Sequence, residues 1–373
     1  MRSPAIDRLR ALVSVETPSR DVAALRAGIE TVAPMVRESL GREPRILELE
    51  GGLPALLAEA PVRPSILLLC HLDTVWPRGT LADTPFAIDG ERATGPGVFD
   101  MKAGLVIGLE ALERAAERDH VTLLVTCDEE VGSATSRDLI ERSAREAAAV
   151  LVLEGSGPGG ALKEARKGVS IYDLRIEGRA AHAGLEPELG VNATVELAHL
   201  VLDLGRLADP AMGTTVTPTA ATAGTTTNTV PAAARLGVDV RAWTAEELER
   251  VDAAIRARPP VVPEARVTVH GGVNRLPLER RHSTGLFALA REVATRQGLD
   301  AVTACAVGGG SDGNLTAALG IPTLDGLGAV GGNAHAPGEW VDLASIDGRA
   351  ELLARLIERV VHEAHAREHT REA

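Results

Sequence analysis

The chain has 373 residues, 45% of them hydrophobic and 24% charged. This is a globular balance at a length suited to two domains, and it excludes wholesale disorder. A formal net charge of −13 repels phosphate backbones and anionic lipid, and 2% aromatic residues leave little for bases to stack on, so nucleic acid and membrane surfaces are excluded as partners. In chain order, residues 1–16 read as an amphipathic helix with charges inside it, not as a secretory leader. Residues 65–70 (SILLLC) are a continuous apolar run, the pattern of a strand buried on both faces. Residues 102–115 have helical spacing, 120–127 (HVTLLVTC) are a second buried strand, 136–148 a helix and 149–153 (AVLVL) a third strand. Strands alternating with helices predict an α/β domain with a mainly parallel sheet.

The pattern then changes. Residues 168–178 (GVSIYDLRIEG) alternate apolar and polar, 192–207 are a helix, and 214–229 are rich in Thr and Ala. Residues 234–242 alternate again, 244–258 are a helix and 264–270 a further strand. That order predicts a ferredoxin-like α+β layer over 169–278, inserted into an α/β domain formed by 1–168 and 279–373. Cys70, Cys127 and Cys305 are odd in number and widely spaced, unlike a disulfide framework, and cytoplasm is the expected location.

Acidic residues and histidines fall where the strands end. His71 and Asp73 follow SILLLC, and residues i and i+2 of an extended segment point the same way. A carboxylate beside an imidazole fixes its tautomer. Asp100 lies between GPGVF and a helix and reads alone as an N-cap. Asp128, Glu129 and Glu130 follow VTLLVTC, Glu154 follows AVLVL, and His335 lies in GGNAHAPGEW. Open α/β sheets bind ligands at the carboxyl ends of their strands. Nitrogen and oxygen groups gathered there suit zinc or a similar divalent ion. Two ions sharing one carboxylate leave a place for water, and a spare acid of the 128–130 run is then available to take the water's proton.

HLDTVWP (71–77), GPGVFDMKAG (95–104), TCDEEVGS (126–133), LVLEG (151–155) and NAHAPGEWV (333–341) resemble the five metal-site blocks of the M20 metallopeptidases. RAAHAGLEPELGVNA (179–193) resembles the insert-domain block of the family's glutamate carboxypeptidase branch. The blocks follow the family's order across nearly the whole chain. The resemblance implies a zinc-peptidase-like catalytic domain with two zinc ions per chain, replaceable by cobalt or manganese. It implies that His71, Asp100 and Glu154 hold one ion, and that Asp100, Glu130 and His335 hold the other. Glu129 is then the general base, Asp73 supports His71, and the Asp100–Met101 peptide is cis. The resemblance gives His182 the role of an oxyanion donor. It places Asn228, Arg241 and the glycine loop with Gly309 and Gly310 at the substrate's carboxylate.

The implied reaction is hydrolysis of the amide of an N-acyl or N-aminoacyl amino acid by a glutamate carboxypeptidase-like exopeptidase. Alternatives are an N-acyl amino acid deacylase of the acetylornithine deacetylase type, a dipeptidase or, last, a non-catalytic binding protein. The implied partners are a small amino-acid amide or dipeptide substrate and a second copy of the chain. The homodimer would form through the inserted domain, with the 168–178 strand at a sheet edge. Lys163, Arg166 and Lys167 lie in a stretch that departs from the branch's pattern; each is a candidate for the branch's side-chain-binding lysine, and each reads first as a solvated charge. Two segments match G-x-G-x-x-G, at Gly155 and Gly326, but Pro158 and Pro337 deny them the helix that a dinucleotide site needs. Cys127 reads as a buried inert thiol, and His199, His270, His282, His362, His365 and His369 as surface residues.

Overall fold

A computed structural model describes residues 3–372. The chain folds into two compact units: Met1–Ala165 with Leu278–Val307 and Ser311–Ala373, and Arg166–Pro277 with Gly308–Gly310.

The first unit is built on a sheet of strand order Arg45–Glu48, Pro54–Ala58, Val121–Thr126, Ser65–His71, Ala147–Val152, Thr323–Leu324. The last four strands are parallel. The first two are antiparallel, an edge pair that the apolar runs did not reveal. Every residue of Ser65–His71 and of Val121–Thr126 is buried. Alternate residues serve opposite layers. Ile66, Leu68 and Cys70 join the core of helices Val22–Leu40, Ala103–Arg114 and Ser345–Glu372. Leu67 and Leu69 pack with Leu139, Ile140 and Ala144 of helix Arg137–Arg145 and with Leu315. Each such leucine stabilises the fold by about 1.5–3 kcal/mol relative to an exposed one. Across the sheet His71 lies opposite Thr126, and Leu69 lies opposite Val152. The residues that follow these strands therefore emerge at one edge. A small antiparallel sheet of Ala87–Asp89, Arg92–Thr94, Gly331–Gly332 and Trp340–Asp342 brackets the turn that carries His335.

The second unit is a four-stranded antiparallel sheet of order Thr215–Ala223, Ala233–Ala242, Gly168–Glu177, Arg266–Arg275. Helices Ala193–Gly205 and Ala245–Ala257 join its core through Leu197, Leu200, Leu248 and Val251, against Tyr172, Leu174, Leu236 and Val238. Asn192 and Thr244 cap the two helices with side-chain oxygens that accept backbone N–H bonds. This is the ferredoxin-like order. One expectation is corrected: Gly168–Glu177 is an interior strand, paired on both sides, and the edges are Thr215–Ala223 and Arg266–Arg275. Alternation in GVSIYDLRIEG reflects one covered face of the sheet. It carries no information about lateral neighbours.

Neither G-x-G-x-x-G segment opens a dinucleotide-binding helix. The first passes into the single turn Pro158–Gly160, and the second ends in the strand Gly331–Gly332.

Candidate metal centre

His71 ends its strand with a buried side chain. Its Nε2 lies 3.3 Å from Asp100 Oδ1 and 3.5 Å from Glu154 Oε1. Its Nδ1 lies 3.0 Å from the Asp73 carbonyl oxygen and 3.4 Å from Asp73 Oδ1. Oxygen acceptors on that side place a proton on Nδ1, which leaves Nε2, toward the carboxylates, as the nitrogen a cation would take. Asp73 is fully buried, and its two oxygens accept the Glu129 and Glu130 N–H groups, each at 3.2 Å. One aspartate thus orients both the imidazole and the acidic turn. Asp128, the first acid of that run, is consumed locally: it accepts N–H bonds from Thr135 at 2.8 Å and Ser136 at 3.1 Å, and the Ser136 hydroxyl.

Asp100 does not cap a helix. It stands in the irregular turn Val98–Lys102, with φ of −116°, and its peptide to Met101 is cis. Its Oδ1 faces His71, and its Oδ2 lies 3.2 Å from His335 Nε2. His335 Nε2 is also 3.0 Å from Glu130 Oε2. Asn333 and His335 have left-handed φ of 61° and 60°, a conformation that costs a non-glycine residue about 1–3 kcal/mol and persists where surrounding contacts impose it. The Asn333 side-chain amide donates to the Gly338 carbonyl at 3.2 Å and closes that turn. Ligand atoms of His71, Glu129 and Glu154 lie within 4.8 Å of one another, as do those of His71, Asp100 and Glu130.

Electrostatics match this geometry. Burial opposes charge on His71, but Asp100, Asp73 and Glu154 hold its imidazole well above the usual value. Burial likewise opposes ionisation of Asp100, and His335 and His71 overcome it and hold the carboxyl well below the usual range. His335 is pushed up to about 10 by Asp100 and Glu130. Burial raises Glu130 against the pull of His335. Two of the buried atoms, His71 Nε2 and Asp100 Oδ1, face each other and have no hydrogen-bond partner among the described residues. A divalent cation placed among these donors satisfies both and offsets the crowded carboxylates. The residues fit such an ion.

The backbone of Glu154 is held by glycine contacts. Added Cβ atoms at Gly104 and Gly328 would both collide with the Leu153 carbonyl. Gly328 N–H donates to the Glu154 carbonyl at 2.9 Å. Arg349, buried, donates from Nε to Gly328 O at 2.8 Å, from Nη1 to Gly160 O at 2.9 Å, and from Nη2 to Gly326 O. The two glycine-rich segments therefore brace each other beside Glu154. Sequence reasoning missed Arg349, and it placed Asp312 at the end of the glycine loop without a role of its own; Asp312 is buried and accepts the Thr126 hydroxyl at 3.3 Å and the Ser133 hydroxyl. Nothing in the spacing of either residue distinguishes it from a surface charge.

The solvated reading of Lys163, Arg166 and Lys167 is corrected. Lys163 Nζ lies 3.9 Å from Glu154 Oε2 with a largely buried side chain. Arg166 is 3% exposed and donates to the carbonyls of Gly309 at 3.1 Å and Gly310 at 3.4 Å. Lys167 donates to Gly213 O at 2.5 Å and lies over the Trp243 ring. Arg166 is buried, Lys163 and Lys167 are partly buried, and their neighbours are a carboxylate, carbonyls and an indole ring.

Five expected residues lie in the second unit: His182, Asn228, Arg241, Gly309 and Gly310. His182 is exposed, and its Nδ1 accepts the Gly184 and Leu185 N–H groups, each at 3.1 Å. Two donors on Nδ1 assign the proton to Nε2. The Asn228 carbonyl accepts the Ala183 N–H at 2.9 Å, which brings Asn228 beside His182. Arg241 forks onto Asp239 at 2.9 and 3.1 Å and donates from Nη1 to Gly308 O at 3.2 Å. Cys127 is fully buried and its thiol is pushed well up, chiefly by burial. His270 and His362 are exposed, whereas His199, His282 and His365 are partly buried, a departure from the surface reading. His369 lies outside the residues whose side chains are described. Among the described residues no helix is long and apolar enough to cross a membrane.

Residues 67–359 match the family model for Peptidase family M20/M25/M40. Carboxypeptidase G2 of Pseudomonas sp. (strain RS-16) is 36% identical over 307 residues, covering 79% of this chain and 73% of that relative. Aminopeptidase PepT from Bacillus cereus ATCC 10987 superposes with a TM-score of 0.75 at 23% identity, over 95% of this chain and 98% of that one. The M20 family metallo-carboxypeptidase Sso-CP2 from Sulfolobus solfataricus gives a TM-score of 0.74 at 18% identity, over 96% of this chain and 100% of that one. These two structures share the fold.

Proposed function

The chain belongs to peptidase family M20/M25/M40 and is a metal-dependent hydrolase, and from that premise we propose that it cleaves the amide bond of N-acyl or N-aminoacyl amino acids as a glutamate carboxypeptidase-like exopeptidase. The observation that carries this reading is Asp100, whose two oxygens face two different imidazoles, 3.3 Å from His71 and 3.2 Å from His335. His71, Asp100 and Glu154 would hold one zinc ion, and Asp100, Glu130 and His335 the other, with cobalt or manganese as substitutes. Bound there, the ions would supply Lewis acidity, polarising the scissile carbonyl and making water acidic enough to lose a proton near neutral pH.

Glu129 takes that proton on a carboxylate oxygen and returns it to the leaving amine nitrogen as the C–N bond breaks. Its backbone N–H on Asp73 keeps the carboxylate beside His71 and Glu154. His182 is proposed to donate from Nε2–H to the carbonyl oxygen as charge develops there. The tautomer that its Nδ1 contacts require supports this role. Asn228, Arg241, Gly309 and Gly310 are proposed to receive the substrate's carboxylate, for which a guanidinium fork is suited.

The similarity to carboxypeptidase G2 favours release of a carboxy-terminal residue. A panel of N-acyl amino acids, acetylated amino acids and free dipeptides, ranked by kcat/KM on metal-loaded protein, tests the assignment. The highest value is expected for N-acyl glutamate-type substrates. A maximum on acetylated amino acids shifts the assignment to a deacylase, and one on free dipeptides to a dipeptidase. No turnover of any member overturns the hydrolase reading in favour of a binding protein.

We also propose a homodimer formed through the second unit, in the cytoplasm. The exposed edges Thr215–Ala223 and Arg266–Arg275 support pairing with a second copy. The described cysteines form no disulfide, as a reducing compartment favours. Light scattering tests the dimer, and a monomeric mass refutes it.

A further inference from the structure

Glu339 is 2% exposed, and its side-chain oxygens accept four hydrogen bonds, all from N–H donors. Its Oε1 accepts the backbone N–H of Phe99 at 2.8 Å and of Asp100 at 2.9 Å. Its Oε2 accepts the backbone N–H of Gly97 at 2.8 Å and the indole N–H of Trp76 at 2.8 Å. Converging backbone N–H groups form an anion-binding concavity, and here a side chain of the same protein fills it. The turn Val98–Lys102 has non-helical backbone at Asp100 and Met101 and cannot supply these acceptors from a regular helix of its own. The Glu339 carbonyl also accepts the Gly95 N–H at 3.4 Å, so the residue is tied to that segment at both backbone and side chain.

Three chain segments meet at this carboxylate. Trp76 lies five residues beyond His71, the 97–100 turn carries Asp100, and Glu339 itself lies four residues beyond His335. Among the described residues, the side-chain bonds of Glu339 run only to those first two segments. The Asp100 N–H that it accepts belongs to the residue whose oxygens face both imidazoles. We propose that Glu339 is a positioning residue that sets the separation of Asp100 and His335, and through it the affinity of the cation that these two residues share with Glu130. This rests on the ligand assignment proposed above. The two oxygens of Glu339 are taken up by N–H donors, so it acts through Asp100 and not as a ligand. It acts only as an ionised acceptor, because every partner is a donor and a protonated or amide group would meet donor with donor.

That chemistry separates positioning from packing. Glu339→Gln keeps the volume but turns an NH2 group onto two N–H donors. Glu339→Asp loses a methylene but keeps an acceptor-only group that can serve one pair of donors. If Glu339 only fills space, Gln is the milder change; if it positions by charge, Asp is. The test is titration of metal-stripped, full-length protein with Co2+ alone, followed by visible absorption and equilibrium dialysis, with His335→Ala in parallel. The expected order of affinity is wild type, then E339D, then E339Q, with E339Q about tenfold to a hundredfold weaker than wild type, the range for partners that orient metal ligands. Should E339Q not fold, E339D is compared with wild type and E339A, and must fall between them. If H335A binds Co2+ as wild type does, the ligand assignment fails and the inference falls with it. If H335A is weakened while E339Q stays within threefold of wild type, or E339Q binds more tightly than E339D, the inference alone is overturned.

Discussion

Replacing Asp73 by asparagine isolates what one buried carboxylate does for the acidic turn. Asp73 has no exposed surface, and its two oxygens accept the Glu129 and Glu130 N–H groups at 3.2 Å each. Asparagine keeps one acceptor oxygen and presents an NH2 group to the other N–H. One backbone donor of the turn is then stranded where water does not reach. A stranded buried donor costs about 1–3 kcal/mol, which corresponds to a roughly 5- to 150-fold loss in the population of the aligned turn. The same change removes the carboxylate 3.4 Å from His71 Nδ1. If Glu129 is the base, this loss appears in kcat and leaves KM nearly unchanged, because the turn carries the proton-transfer group rather than a substrate contact. The assay is steady-state kinetics at saturating Zn2+ on the best substrate of the panel, with metal content measured on the same sample. A fully loaded D73N protein with kcat within twofold of wild type refutes the argument that Asp73 aligns Glu129.

Two further substitutions probe neighbouring parts of the site. Glu129→Gln keeps its backbone N–H on Asp73 and should retain both ions while kcat falls at least about a hundredfold, the low end for loss of a general base; near-full activity of loaded protein would remove Glu129 from that role. Gly328→Ala sets a Cβ against the Leu153 carbonyl, and within 2.8 Å of the Glu154 carbonyl, where only backbone can yield. It should lower stability by about 1–3 kcal/mol and weaken metal retention through Glu154, and an unchanged urea midpoint would show that the loop yields freely.

The strand ends are legible in the sequence for a physical reason. SILLLC, VTLLVT and AVLVL are too short for helices and apolar throughout, so they mark interior parallel strands. Such strands deliver whatever follows them, here His71, Asp128–Glu130 and Glu154, to one edge of the sheet. Helix starts were legible as well: the helices expected from 192 and 244 begin just after Asn192 and Thr244, whose side chains accept the first free N–H groups. The place of a strand within its sheet was not, because Gly168–Glu177 alternates whether or not both neighbours are present. The fate of isolated charges was equally hidden. Arg166 reads like any basic residue of KEARKG, and only the close approach of the Gly309 and Gly310 carbonyls buries it. Glu339 stands inside the 333–341 block and Asp312 two residues beyond Gly310, yet their work depends on N–H and hydroxyl donors far away in sequence. The two G-x-G-x-x-G matches illustrate the converse. Gly328 of the second match answers a close approach to the Leu153 and Glu154 carbonyls, and Gly155 of the first the Phe99 ring, rather than a phosphate.

Elemental analysis of catalytically active protein, expressed as moles of divalent metal per chain, bears most directly on the paired-cation centre around Asp100. Two ions per chain are expected, with hydrolysis lost as chelation removes them and regained on adding Zn2+. Active protein holding fewer than one ion per chain contradicts the two-ion arrangement of His71, Asp100, Glu130, Glu154 and His335.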